Sequence, residues 1–243
     1  MSRSMPRAAG LPGLVSGLCD DAAVFPPGLA PLNRAVAAYL DRTGSWYGDL
    51  VGPLVVPAEA LAAMEGLLPR GRRLPVSVTV PAGPAHVGEV IARAASLPLQ
   101  LASLEVALPA AATVAAAFDE IAAALTSATP RVYVEVPRDD RAATVIAALP
   151  AYGFRAKLRT GGVRAELYPD EAELAASVAA LATAGLTFKA TAGLHHAVRN
   201  TDPQTGFEQH GFLNLLLATE VLLGGGTEQD ARQLLASRDG RDV

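Results

Sequence analysis

The chain has 243 residues, of which 51% are hydrophobic, so it can bury a substantial core. A formal net charge of −4 argues against a broad surface for nucleic acid or anionic membranes, because such surfaces need clustered Lys and Arg. The single cysteine excludes an intramolecular disulfide, and no apolar run approaches the roughly 20 residues of a membrane span, so we expect a cytoplasmic protein without a membrane partner.

Apolar segments typical of β-strands alternate along the chain with Ala- and Leu-rich segments typical of helices. The predicted strands cover residues 14–19, 50–56, 75–80, 102–108, 131–136, 154–159 and 186–191. The predicted helices cover residues 31–43, 58–68, 84–96, 110–127, 139–151 and 170–184. Regular alternation of this kind predicts a parallel sheet with crossover helices. No linker separates independent domains, so we expect one domain over residues 1–243.

Polar and apolar residues alternate within the predicted strands. In the third strand the valines at 76, 78 and 80 share one face, and Ser77 and Thr79 share the other. A parallel strand covered by helices on both faces is apolar throughout, whereas a barrel strand sends alternate residues into a lumen. We therefore predict a TIM-like (β/α) barrel. The charged residues that the same parity assigns to its lumen are Glu105, Glu135, Lys157, Arg159 and Lys189.

The seven predicted strands are one fewer than the eight of a complete TIM barrel. Apolar positions between residues 212 and 223 fit helical spacing, and three glycines follow them, so we predict a helix there and another after Thr227. Three alternatives stay open. The barrel has seven strands, residues 212–218 form a strand after all, or an eighth strand lies beyond this sequence.

Lysine is rare in this chain: of 20 basic residues only Lys157 and Lys189 are lysines. An exposed cation rarely requires a particular head group, whereas an amine can attack a carbonyl and a guanidinium cannot. Neighbouring strands lie about 4.8 Å apart, so inward lysines at matching height would be close together. Repulsion between like charges would then favour a neutral amine on one of them.

The segments R-A-K-L-R-T-G-G around Lys157 and T-F-K-A-T-A-G around Lys189 resemble the sixth and seventh strands of class I aldolases of the deoxyribose-phosphate aldolase type. The resemblance implies that Lys157 forms a Schiff base with a carbonyl substrate and that Lys189 is its electrostatic partner. The acidic proton shuttle of the family has no matching motif here, so Glu105 and Glu135 are substitutes for it. The histidine loop after Lys189 also departs from the family pattern.

Glycines after the two lysine strands predict a place for an anion. Gly161 and Gly162 follow the sixth predicted strand and Gly193 follows the seventh, where backbone N–H groups could approach a phosphate or carboxylate. Arg159 and the two lysines would supply positive charge. Glycine pairs are common in such loops, and ion-pair networks also fill barrel lumens, so the lysines have a structural alternative as partners of Glu105 or Glu135.

Three histidines follow the seventh predicted strand, at the end of a barrel where active sites form. The side chains of His195 and His196 diverge, so we do not expect them to bind one metal ion together. One of them with His210 and a nearby acid is the alternative that stays open. We predict general acid or base work or substrate contact for His195, and no metal or other cofactor.

These patterns predict a barrel enzyme that acts on a small anionic carbonyl or phosphorylated metabolite by lyase or aldolase chemistry. Lys157 would be the nucleophile, Lys189 would tune it, and Glu135 or His195 would move protons. The candidate substrate-binding residues are Glu105, Arg159, Thr160, Gly161, Gly162, Thr191, Gly193, Asp20, His196 and His210. The alternative is a non-catalytic anion-binding or assembly protein on a degenerate barrel. A homo-oligomer is compatible with either function.

Overall fold

The computed structural model describes residues 13–68, 71–125, 130–241 and 243. Its main feature is an all-parallel sheet in which seven strands are neighbours in the order of the chain. The strands are β1 (Cys19–Asp21), β2 (Val51–Pro57), β3 (Leu74–Val80), β4 (Leu99–Val106), β5 (Arg131–Glu135), β6 (Arg155–Arg159) and β7 (Phe188–Thr191). The predicted α/β fold with a parallel sheet is therefore confirmed.

The described residues include seven α-helices. They are α1 (Leu32–Arg42), α2 (Val87–Ala95), α3 (Val114–Ala124), α4 (Ala142–Tyr152), α5 (Glu171–Thr183), α6 (Phe212–Leu223) and α7 (Glu228–Ala236). Short 3-10 helices cover Gly13–Val15, Gly48–Leu50, Ala58–Met64, Pro84–His86 and Ala165–Leu167. Among the residues that the structure describes, no helix has both the length and the apolar character needed to cross a bilayer.

Two predicted elements at the start of the chain are wrong. Residues 14–19 were expected to form a strand, but a 3-10 helix covers Gly13–Val15 and β1 begins only at Cys19. Gly17 lies between them with a φ of 62°, a left-handed conformation that interrupts an extended strand. The helix expected over 58–68 is a 3-10 helix that ends at Met64, because the chain is extended at Glu65 and left-handed at Gly66.

The chain divides into two compact units. One comprises Met1–Glu105 with Ala124–Arg131, and the other comprises Val106–Ala123 with Val132–Val243. The core of the first unit contains the apolar residues of β2 and β3, with Leu54, Val56, Val76 and Val78 fully buried. The apolar half of each alternating strand thus packs inside, as the hydrophobic effect requires.

The second unit contains β5 to β7 and the helices α4 to α7. Val134 and Ala156 are fully buried on one face of its strands, and α5, α6 and α7 pack on one another. The alternative of a strand at residues 212–218 is wrong, because α6 occupies that segment. Two short strands, β8 (Asn200–Thr201) and β9 (Glu208–Gln209), form a separate antiparallel pair and do not add to the sheet.

Buried Asn214 ties the C-terminal helices of this unit together. Its amide nitrogen donates to the carbonyl oxygens of Leu234, at 2.7 Å, and of Ser237, at 2.9 Å. Its side-chain oxygen accepts a hydrogen bond of 2.9 Å from the backbone N–H of Arg199. The buried amide thus has partners for both its oxygen and its nitrogen, and it connects α6 to the end of α7.

Candidate functional site

The neighbouring strands β5, β6 and β7 place three charged side chains in one row. Glu135 is in register with Lys157, and Lys157 is in register with Lys189. Residues in register on neighbouring parallel strands point to the same face of a sheet. One step further along, Arg159 is in register with Thr191. The structure therefore brings together five of the residues that the sequence singled out.

Glu135 holds two of these cations. Its Oε2 lies 3.0 Å from Nζ of Lys157, and its Oε1 accepts a hydrogen bond of 2.9 Å from Nε of Arg159. The Lys157 side chain is 7% exposed, whereas that of Arg159 is 35% exposed. Lys157 is thus the enclosed end of this ion-pair triad, and Arg159 is the end that solvent reaches.

The environment of Glu135 favours its charged form. Burial acts to raise the pKa of the carboxyl group, but the charge of Lys157 and the hydrogen bond from Arg159 outweigh burial. The pKa of Glu135 consequently lies below the ordinary value of 4.5. At neutral pH the group is a carboxylate, which can accept a proton and has none to donate.

We expect Glu135→Gln to lower the free energy of unfolding by about 2 kcal/mol, because the amide removes a negative charge that pairs with two partly buried cations. The wild-type contribution is present above pH 4.5 and is lost as the pH falls through the lowered pKa of Glu135. Urea unfolding at pH 7 and pH 4 measures both effects. Glu173→Gln is the matched control, because its exposed pair with Arg138 is worth less than about 1 kcal/mol. Equal losses of unfolding free energy in the two variants would contradict a larger stabilising role for the ion pairs of Glu135.

Tyr133 is a residue of this site that the sequence analysis did not select. Its ring centroid lies 5.2 Å from Nζ of Lys189 and 5.9 Å from the guanidinium carbon of Arg155. Nη1 of Arg155 also donates a long hydrogen bond of 3.4 Å to the Tyr133 hydroxyl. Alternation does assign Tyr133 to the face of Glu135, two residues away, but tyrosine carried no motif that pointed to it.

Thr160 and the glycines have a packing role. Thr160 is fully buried, and its hydroxyl donates to the carbonyl oxygen of Ala192 at 2.5 Å. A Cβ on Gly161 would lie 2.8 Å from Cα of Gly193, and one on Gly193 would lie 2.7 Å from the Thr160 carbonyl oxygen. A Cβ on Gly162 would come within 2.4 Å of the Leu167 side chain. The loops after β6 and β7 thus touch, and this contact explains the glycines without a ligand.

The three histidines lie in different surroundings. His195 and His196 are exposed beyond β7, and partial desolvation of the ring together with the charge of neighbouring His196 lowers the pKa of His195. His210 is 1% exposed, with Nε2 2.8 Å from the Pro169 carbonyl oxygen and Nδ1 3.3 Å from Nη1 of Arg199. A carbonyl only accepts and a guanidinium only donates, so His210 is a neutral imidazole protonated on Nε2. Its contacts are structural.

The sequence analysis also missed Arg199, which organises the surroundings of His210. Its side chain is 9% exposed, and Nη2 lies 2.7 Å from a Glu171 oxygen and 3.2 Å from a Glu208 oxygen. Arg238 also pairs with Glu208. Within the described residues, no three His, Cys, Asp or Glu side chains are arranged to hold a metal ion. The open alternative of a histidine metal site thus gains no support.

We expect a fall in stability in mild acid that depends on His210. Burial and the positive charge of Arg199 lower its pKa below 6.5, although the Pro169 carbonyl and Glu171 oppose them. In mild acid the unfolded chain therefore binds a proton at His210 that the folded chain does not bind. The contribution of neutral His210 to stability is complete above pH 6.5 and is lost as the pH falls below it. The slope approaches about 1.4 kcal/mol per pH unit.

Urea unfolding of the wild type and His210→Gln between pH 7.5 and pH 5 checks this expectation. The variant is less stable at pH 7.5, but its stability changes less with pH because the amide does not titrate. His86→Gln, at an exposed histidine, is the control and keeps most of the wild-type slope. An unaltered slope in His210→Gln would show that His210 is not the group that titrates.

Two predicted substrate-binding residues belong to the first unit. Glu105 is 3% exposed and accepts a hydrogen bond of 2.8 Å from the Ser77 hydroxyl, which in turn accepts one of 2.7 Å from the Ser103 hydroxyl. Asp20 lies on β1, and its Oδ1 is 2.2 Å from the position that a Cβ on Gly52 would take. Both acids are therefore packed against neighbours in their own unit.

A cleft of about 310 Å³ opens at the ends of β5 and β6 beside α5. Its polar lining includes Arg138, Arg159, Glu173 and Ser177, but neither lysine lines it. Its volume is at the lower limit for a small-molecule site. Arg159 is the residue that belongs both to this cleft and to the ion-pair triad.

The geometry of the site is the source of functional information for this chain. No protein-family model, no curated protein and no solved structure matches it significantly.

Proposed function

We propose that the protein is an enzyme that acts on a small anionic carbonyl compound through an imine on Lys157. The observation that carries the proposal is the row in which Lys157 lies between the carboxylate of Glu135 and a second lysine. Glu135 gives this amine a proton acceptor within reach, and the second lysine adds a positive charge in register with it.

The roles of the side chains follow from their contacts. The ammonium of Lys157 gives a proton to Glu135, whose Oε2 is 3.0 Å away, and the free amine adds to the carbonyl carbon. The carbinolamine then loses water to give the imine, with the proton on Glu135 available to the leaving oxygen. Lys189 is the second cation of the row, in register with Lys157. Arg159, one-third exposed, is the group that pairs with the anionic part of the substrate.

The wider parts of the proposal rest on the same row and on the aldolase resemblance of the two lysine segments. Lyase chemistry would break a carbon–carbon bond next to the imine, with the imine as the electron acceptor. We further propose that the sheet belongs to a TIM-like barrel, with the row at its catalytic end. His195 and His196 follow β7 at that end, where they can contact substrate.

A second candidate function is anion binding without covalent chemistry. It is favoured by the ion pair itself, because Lys157 is 7% exposed and already bound to Glu135. A phosphate or carboxylate would then be held by Arg159 and Lys189, with Lys157 as a structural cation. The two candidates differ in one measurable property, the formation of a covalent bond between Lys157 and a carbonyl compound.

Borohydride trapping tests the proposed function. The protein is incubated near neutral pH with small aldehydes and ketones that carry a carboxylate or phosphate, then reduced, because reduction turns an imine into a stable secondary amine. Peptide mapping locates the adduct, and the two lysines of the chain make the assignment simple. We expect label on Lys157. Absence of label across the panel, with inorganic phosphate still bound, would replace the enzyme by the anion-binding protein.

A further inference from the structure

Tyr133 makes an unusual contact across the sheet. It lies on β5, and the amine 5.2 Å from its ring centroid belongs to Lys189 on β7, although β6 lies between these two strands. The tyrosine side chain must therefore lie along the face that carries the lysine row. Tyr133 is 9% exposed, so its ring is almost entirely screened from water.

A buried ring of this kind gives a lysine a fixed position. A cation near an aromatic ring is attracted by the ring quadrupole, and the attraction grows when water is excluded. A lysine side chain otherwise keeps most of its rotamer freedom, which it loses only when a partner compensates for the loss. The ring also differs from a carboxylate, because it attracts the ammonium without accepting its proton.

The row thus gives each amine a defined contact. Lys157 lies 3.0 Å from the Glu135 carboxylate, and the Tyr133 ring centroid lies 5.2 Å from Nζ of Lys189. The guanidinium carbon of Arg155 lies 5.9 Å from the same centroid. The ring is therefore a shared contact for cations of β6 and β7 on the face that carries Lys157.

We infer that Tyr133 is a positioning residue, which holds the Lys189 ammonium beside Lys157 for the amine chemistry. The inference rests on the proposed function for its purpose, but the position of Lys189 can be measured without any reaction. Tyr133 itself makes no covalent bond and moves no proton. The other charged residues that alternation assigns to this face of β5 to β7 are Arg131, Glu135, Arg155, Lys157 and Arg159.

The first measurement is the NMR spectrum of protein labelled with carbon-13 at the ε-carbon of lysine. The chain contains two lysines, so two signals are expected, and Lys157→Arg and Lys189→Arg assign them. A ring close to Lys189 shifts the protons on its ε-carbon. We expect this shift to persist in Tyr133→Phe and to vanish in Tyr133→Leu. Tyr152→Leu, in a tyrosine that packs on Phe118 and Phe154, is the control and leaves both signals in place.

The second measurement is the rate of borohydride trapping at Lys157 in the same variants. Loss of the ring should slow trapping about three- to ten-fold in Tyr133→Leu, the range that a desolvated cation–π contact supports. Tyr133→Phe should keep most of the rate, because it keeps the ring and loses only the hydroxyl. Thermal unfolding of each variant verifies that it is folded.

Each outcome decides the inference. A Lys189 signal that is the same in wild type and Tyr133→Leu overturns it, and so does equal slowing of trapping by Phe and Leu, which would assign the effect to the hydroxyl. A wild type that forms no adduct refutes the proposed function and with it the catalytic purpose, while the signal of Lys189 still reports whether the ring positions it. If Tyr133→Leu does not fold, the comparison of wild type with Tyr133→Phe decides between ring and hydroxyl.

Discussion

Lys157→Arg is expected to abolish borohydride-dependent labelling of the protein at neutral pH. A guanidinium keeps its positive charge but cannot serve as a nucleophile, so it can replace Lys157 in the ion pair with Glu135 and cannot form an imine. The variant should therefore keep the secondary structure of the wild type. Mass spectrometry of the reduced protein measures the loss, and circular dichroism checks the fold.

Lys189→Met is the companion variant, which removes a charge and leaves the nucleophile in place. We expect trapping at Lys157 to slow about ten-fold, because the proposed mechanism loses the cation that lies in register with the nucleophile. Lys189→Arg keeps that charge and serves as the control. Label that persists in Lys157→Arg and disappears in Lys189→Arg would identify Lys189 as the nucleophile instead and would reverse the two roles.

Most of the sheet could be predicted because its strands carry a local signal. The alternation of polar and apolar residues is a property of each segment alone, so β2, β3, β5 and β6 begin and end within two residues of their predicted bounds. β1 failed because one left-handed glycine, Gly17, outweighs the apolar residues around it. The helix at 58–68 failed for the same kind of reason at Gly66.

The lysine row was predictable for a further reason. In β6 and β7 each lysine lies two residues before the last residue of its strand, Arg159 or Thr191. The sequence alone therefore indicates that the two lysines point to the same face of the sheet and lie at the same height along their strands. The ion-pair partners of the lysines were harder to predict from the sequence. The sequence allowed either Glu105 or Glu135 as an ion-pair partner of the lysines, and the structure gives a distance of 3.0 Å between Glu135 and Lys157.

Other parts of the site depend on contacts that no single segment contains. The approach of Tyr133 to Lys189 requires a side-chain rotamer that reaches across β6. The burial of His210 depends on Arg199 and on Pro169, which lies 41 residues earlier in the chain. A sequence pattern gives the type of residue at each position, whereas these roles are decided by what the fold places next to it.

The glycines show the same distinction and lead to the second large effect. Glycines after parallel strands predicted an anion site, but Gly193 has a φ of 76°, and a Cβ there would lie 2.7 Å from the carbonyl oxygen of Thr160. An alanine at this position meets two costs, a left-handed backbone and a backbone contact that cannot move aside. Both costs would destabilise the folded state at the place where the loops after β6 and β7 touch.

We expect Gly193→Ala to lower the free energy of unfolding by about 3 to 4 kcal/mol. Gly185→Ala is the matched control, since Gly185 has a φ of 64° but no atom within 4 Å of its added Cβ, so only the backbone cost of about 1 kcal/mol remains. Urea unfolding at pH 7 gives both values. If the two alanines cost the same, the close contact of the loops contributes nothing, and Gly193 would be explained by its backbone conformation alone. A larger cost at Gly193 assigns the glycine to the packing that fixes the ends of the two lysine strands, and hence the height at which Lys157 and Lys189 face each other.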